Sequence, residues 1–214
     1  MREFEEVVAL GDGYFSREKK GGAAAPALLL LVHFRGFSIT AIRSLFITID
    51  GDDGTDKVTE KLLTQPKASL FMMEGVVHAG FNYVDPVAVY RATGIPVLVF
   101  QREKPDLLAV YSALERHLND WQRKWKTLSA LTQLRPTTLT WPRGGRTFSA
   151  YIQAHGLDYE EAVAFLENSM LVSHKPEQLR EAKALASALG KLFELCAPHQ
   201  RDRKSIALIL LGSP

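Results

Sequence analysis

The stretch LLLLVHFRGFSITAIRSLFITIDGDDGTD, residues 28–56, decides the fold. Leu28–Phe34 and Ile39–Ile49 are apolar runs of strand length, and Arg35-Gly36-Phe37-Ser38 between them reads as a hairpin turn. The acidic, glycine-broken segment Asp50-Gly51-Asp52-Asp53-Gly54-Thr55-Asp56 then opens a helix to about Leu63. On the N-terminal side, Val7–Leu10 is a short apolar strand stopped by the turn signal Gly11-Asp12-Gly13. Residues 16–25, polar and then rich in Gly and Ala, read as a loop. On the C-terminal side, Ala68–Met73 is a buried strand that ends at Glu74-Gly75. Asp85-Pro86 starts a helix that Gly94 closes, and Pro96–Phe100 is the next strand. Leu107, Leu108, Tyr111, Leu114, Leu118 and Trp121 recur at helical spacing and predict one amphipathic helix to about Lys126. Thr137–Trp141 and Thr147–Ile152 are short strands around a Pro-Arg-Gly-Gly-Arg turn, followed by helices over Tyr159–Asn168 and Pro176–Leu195. Three strands, then alternating helices and strands, predict an α/β fold: a mixed sheet with helices on both faces, in a single domain across 1–214.

Composition removes several classes of function. With 26 basic and 24 acidic side chains the formal net charge is +2, so a polyanion site has to be a local patch rather than a whole-protein attraction. The single cysteine, Cys196, rules out an internal disulfide framework, fits a reducing compartment and reads as structural. No signal-peptide pattern occurs, and the longest apolar run, Ala23–Val32, is well short of the roughly 20 residues of a spanning helix. A cytoplasmic location with no membrane partner is the expectation. Walker-type, Gly-x-Ser-x-Gly and zinc-spaced motifs are absent.

The chemistry is carried by the placement of carboxylates. Asp12, the Asp50–Asp56 cluster and Glu74 each follow an apolar strand, and open α/β sheets bind ligands outside the carboxyl ends of their strands. Carboxylates converging there repel one another unless a cation compensates. Mg²⁺ or Mn²⁺ suits such an oxygen-rich site, with Asp12, Asp53, Asp56 and Glu74 as candidate ligands. Each has a plainer reading as well. Asp12 lies between glycines, as turn residues do, and Asp53 and Asp56 could cap a helix and serve its dipole. Glu74 is harder to explain without a partner, because it ends a buried strand.

Four ordered blocks carry a resemblance: Asp50–Lys57, Glu74–Asp85, Thr93–Val97 and Lys104–Leu107. In these the chain resembles the mainly archaeal family called domain of unknown function ninety-nine, which is similar in turn to endonuclease V. Lys175–Ala182 and Ala154–Ala162 extend the likeness toward the C-terminus. The resemblance implies a ribonuclease-H-like fold and Mg²⁺-dependent cleavage of nucleic acid near deaminated purines. By that likeness Glu74 falls on an aspartate metal ligand, Asp53 or Asp56 near a second-strand glutamate ligand, and His155 on an active-site histidine. The chain departs from the pattern at Gly11, where the family usually has the first of two adjacent aspartates. Glu74 stands in place of aspartate, and the lesion-sensing Pro-Tyr loop of endonuclease V is missing.

His78 follows Glu74 closely enough to join it, either as a catalytic group or as a surface loop residue. His174 and Lys175 precede a helix start that could hold phosphate, with Arg180 one turn in; the alternative is an ordinary helix beginning at Pro176. Arg143 and Arg146 flank a flexible turn and could meet backbone phosphate. Trp121 reads as core, and Arg123, Lys124 and Lys126 as a solvated basic face. The reading is a metal-dependent nucleic-acid phosphodiesterase in which Asp12, Glu74, His155 and His78 are the catalytic candidates. The alternative is a nucleic-acid-binding module that has lost the chemistry. DNA or RNA is the expected partner of both.

Overall fold

The computed structural model describes residues 4–15 and 26–196. The expected loop over 16–25 and the side chain of Cys196 lie outside the described residues. In chain order the elements are β1 (Glu6–Asp12), β2 (Pro26–Arg35), β3 (Ser38–Thr48), α1 (Gly54–Leu63), β4 (Leu70–Glu74), β5 (Val77–His78) and β6 (Asn82–Tyr83). They continue as α2 (Pro86–Thr93), β7 (Val97–Gln101), α3 (Leu107–His117), α4 (Trp121–Leu131), β8 (Arg135–Trp141), β9 (Arg146–His155), α5 (Tyr159–Asn168) and α6 (Glu177–Cys196).

Seven strands form one mixed sheet in the order β3-β2-β1-β4-β7-β9-β8, and β5 and β6 make a small separate ribbon. The three central strands β1, β4 and β7 are parallel, so Asp12, Glu74 and Gln101 all end at one edge of the sheet. These strands read as unbroken apolar runs because both of their faces are covered. Their pleat sends alternate residues to two cores. Val7, Ala9, Leu70 and Met72 join Ala162 and Leu166 of α5 and Leu179, Ala182 and Ala186 of α6. Val8, Leu10, Phe71 and Met73 join Val58 and Leu62 of α1 and Val89 of α2 on the other face.

The helix expected from Pro105 to Lys126 is two helices. Leu118 adopts an extended conformation (φ −124°, ψ 135°), and Asp120 precedes the first turn of α4. Leu118 and Trp121 preserve helical spacing across the break, so periodicity passes over the Asn119-Asp120 turn. Tyr111 of α3 meets Trp121 and Trp125 of α4 edge-on, at 5.1 and 5.3 Å between ring centroids.

α6 lies against β1 at backbone contact. A Cβ at Gly11 would overlap the Ala182 carbonyl oxygen. One at Gly13 would fall 2.9 Å from the carbonyl oxygens of Ala186 and Leu28, and one at Gly190 2.6 Å from the Tyr14 backbone nitrogen. Small residues at 182, 186 and 190 share a helix face, which lets the axis approach the strand this closely.

Candidate functional site

Asp12 and Glu74 are the last residues of adjacent parallel strands whose register pairs Leu10 with Met73. Strand pairing brings the two backbones to neighbouring positions although 61 residues of chain separate them, with Asp12 on the Leu10 face of the pleat and Glu74 on the Met72 face. Each already has a cation beside it. Lys183 of α6 pairs with Asp12, and Lys175, just before α6, donates to Glu74 Oε2 at 2.5 Å. Burial works against the charge on Asp12, but His78 and Lys183 outweigh it and hold the carboxyl below its ordinary range. His78 is itself 3% exposed, and desolvation pushes its pKa down. The His78 Nδ1 lies 4.0 Å from Asp12 Oδ2, and neither ring nitrogen has a hydrogen-bond partner.

The loop that carries His78 is clasped to the Asp50–Asp56 segment. Asp50 N–H donates to the Ala79 carbonyl at 3.0 Å, and Phe81 N–H donates to Asp50 Oδ1 at 2.9 Å. Both Asp50 (φ 59°) and Ala79 (φ 48°) occupy the left-handed region, a strain this mutual clasp maintains. Asn82, fully buried, donates to the Thr48 carbonyl and to Asp53 Oδ1, and accepts from Gly54 N–H.

Asp53 is therefore spent within the fold. Its carboxylate accepts from Thr48 N–H, the Thr48 hydroxyl and Asn82, and pairs with Lys57 at 2.7 Å. Asp56 is exposed in the first turn of α1. Both lie at the same sheet edge as Asp12, but the structure does not gather them with Asp12 and Glu74. Among the described residues no group of three or more His, Cys, Asp or Glu side chains could hold a metal ion together. Asp12 and Glu74 start from opposite faces of the pleat, and each offers a carboxylate, the donor type that a hard cation of the Mg²⁺ kind takes. Such an ion takes one or two carboxylates and completes its shell with waters and phosphate oxygens.

His155 sits elsewhere. It pairs with Val97 at the start of β7, whereas Glu74 pairs with Phe100 near that strand's end, so the histidine lies toward the opposite edge. A sheet separates a residue from its sequence neighbours by strand direction, and β9 runs antiparallel to β7. Arg143 and Arg146 occupy the exposed β8–β9 turn, which projects beyond the edge that bears Glu74. His174 packs its ring against Trp141 and Phe148, at 4.9 and 4.7 Å between centroids, and places Lys175 next to Glu74. Arg180 pairs with Glu177 and Glu181 on its own helix and is not directed at Glu74.

Sequence reasoning missed Lys183 and Lys124. Lys183 lies eight residues after Lys175, a spacing that would place two lysines on one helical face. Lys124 is 1% exposed rather than solvated: it donates to the Gly51 carbonyl at 2.6 Å, pairs with Asp52 and lies 5.2 Å from the Tyr83 ring centroid. That anchors α4 to the acidic segment. Beside Glu74 opens a pocket of about 570 Å³, bounded by Gly75, Val77 and Phe81 on the loop and by Leu107, Val110 and Leu128 of α3 and α4.

The fold and the strand ends define an α/β protein with a mixed seven-stranded sheet, helices on both faces, and acids at the carboxyl ends of its central parallel strands. A family model described as Endonuclease dU matches residues 4–190, and the chain belongs to that family. The UPF0215 protein of Thermococcus gammatolerans is 34% identical over 188 residues, covering 86% of this chain and 91% of its own. That of Pyrococcus furiosus is 31% identical over 191 residues, with the same shares. A crystal structure of a protein of unknown function from Archaeoglobus fulgidus superposes with a TM-score of 0.69 at 26% identity, over 86% of this chain and 97% of that one. Ciona intestinalis endonuclease V, in complex with a 24mer DNA containing an inosine followed by a ribo-adenosine, gives 0.54 at 11% identity over 90% and 88%, a likeness of fold. No helix of the described residues is long and apolar enough to cross a membrane.

Proposed function

We propose that this protein is a divalent-metal-dependent endonuclease that hydrolyses a phosphodiester bond in nucleic acid at or near a deaminated base. The observation that carries it is the pair Asp12 and Glu74 on adjacent strand ends with His78, buried and without hydrogen-bond partners, beside them. Membership of a family described as Endonuclease dU supports the reading. Asp12 and Glu74 would hold Mg²⁺ or Mn²⁺, which supplies a more acidic water and neutralises developing charge on the phosphate. His78 Nδ1 orients or accepts a proton from water next to Asp12. Lys175, Arg143 and Arg146 contact backbone phosphates along the same edge. The pocket beside Glu74 falls within the roughly 300–1,000 Å³ of small-molecule sites, large enough for one base turned out of the stack.

The test is a cleavage panel of DNA and RNA oligonucleotides, with and without deoxyuridine or inosine, in Mg²⁺ or Mn²⁺. Glu74→Gln and Asp12→Asn should each lower the cleavage rate at least about 100-fold with melting temperature retained, comparable to other losses of charge stabilisation in the transition state. Ala109→Trp, which fills the pocket from α3, should raise KM for the lesion substrate more than it lowers kcat. No cleavage of any substrate in the panel would refute the assignment. The second reading, a binding module without chemistry, draws on Gly11 and on the lysines that already hold both carboxylates. It predicts salt-sensitive nucleic-acid binding that chelator leaves unchanged.

A further inference from the structure

Uncompensated acids at neighbouring strand ends would each draw in a cation. In this protein the chain provides two of its own. Lys183 is on Asp12 and Lys175 on Glu74, and neither lysine has another carboxylate partner among the described residues. The four charges cancel locally, so in this arrangement the pair exerts little pull on a free divalent ion. The stems differ from the heads in freedom. α6 is seated on β1 through Gly11 and Gly13, which fixes the Lys183 backbone relative to Asp12. The ammonium groups end flexible four-carbon chains and are partly exposed, at 23% for Lys175 and 44% for Lys183. They can reach a phosphate without moving the helix. His78, 97% buried with two unpartnered nitrogens at the same place, shows that this corner has hydrogen-bonding capacity still to be used.

We propose that Lys175 and Lys183 are exchangeable counter-ions that make metal loading depend on substrate. In the free protein they occupy Glu74 and Asp12 and keep divalent metal out. When nucleic acid arrives, its phosphates take up the ammonium groups and release the carboxylates to the metal. The site is then armed only where a strand lies across it. The inference rests on the nuclease reading above and specifies its regulation.

The experiment measures Mn²⁺ binding to the full chain without nucleic acid, by the paramagnetic signal of free ion. Wild type is compared with Lys175→Met, Lys183→Met and the charge-preserving Lys175→Arg, each checked for an unchanged thermal melt. Each methionine variant should bind Mn²⁺ about tenfold more tightly, within the roughly 5–150-fold range of site-to-site coupling, and Lys175→Arg should match wild type. In chelator, the same methionine variants should bind a phosphorothioate oligonucleotide more weakly, with a salt slope reduced by about one per lysine. Mn²⁺ affinity unchanged or weakened in both methionine variants overturns the proposal. If Asp12→Asn still abolishes Mn²⁺ binding in that case, only the gating falls. Absence of Mn²⁺ binding in every variant overturns the metal reading beneath it too.

Discussion

Gly11→Ala tests the backbone contact between α6 and β1. The added Cβ would overlap the Ala182 carbonyl oxygen and lie 3.1 Å from the Ala186 Cβ. The obstacle is helix backbone, which cannot rotate aside as a flexible side chain does, so α6 must lift from β1. Overpacking of this kind costs about 1–3 kcal/mol, and a backbone obstacle places the substitution near 3. For a chain of this size each 1 kcal/mol lowers Tm by about 2–4 °C, giving an expected fall of about 6–12 °C. Circular dichroism on thermal and urea unfolding reads the effect. Ala186→Gly in the same chain should recover little of it, because the Ala182 oxygen remains. Gly11→Asp should be worse still: it adds a larger group and a buried charge beside Asp12. Wild-type stability in Gly11→Ala, or a stable and more active Gly11→Asp, would refute the packing argument.

Asp53→Ala should destabilise by about 2–3 kcal/mol at neutral pH, since it removes a charged acceptor of several hydrogen bonds. Burial opposes ionisation of Asp53, but Lys57, Thr48 and Asn82 prevail and hold its pKa well below the ordinary value. Its stabilisation is therefore full above the unfolded pKa near 4 and is lost as pH falls below that. Urea titrations of wild type and variant at a series of pH values should converge in acid; a constant gap down to pH 2 would count against the network. Lys124→Met should cost about 2 kcal/mol and speed hydrogen exchange in α4, because it releases the Gly51 carbonyl and Asp52. Unaltered exchange there would show that α4 is held by its aromatic contacts with Tyr111 instead.

The strands were readable because burial on both faces writes itself as continuous apolar sequence: Leu28–Phe34, Ala68–Met73 and Pro96–Phe100 each fall within two residues of a strand. The edge bearing Asp12 and Glu74 followed from strand direction alone. What sequence could not supply was the competition for each carboxylate. Asp53 and Glu74 look alike as acids after strands, yet Asn82 and Thr48 consume one and leave the other to a lysine 101 residues away. The burial of Lys124 is of the same kind, since its partner Asp52 is 72 residues distant and helical periodicity marks its position as solvent-facing. The position of His155 was hidden for a different reason: likeness of a short segment fixes residue type but not which end of an antiparallel strand it occupies.

The closing helix has a consequence for how the protein is made. The lysine that meets Asp12 comes 171 residues later in the chain, on the last described helix. A growing polypeptide emerging from the ribosome has its central strands long before it has α6, and contacts of such sequence separation form late and slowly. Until α6 arrives, Gly11 and Gly13 face no helix and the acid on β1 has no ammonium beside it. The ammonium that covers the acid at the end of β1 is therefore synthesised after every strand of the sheet.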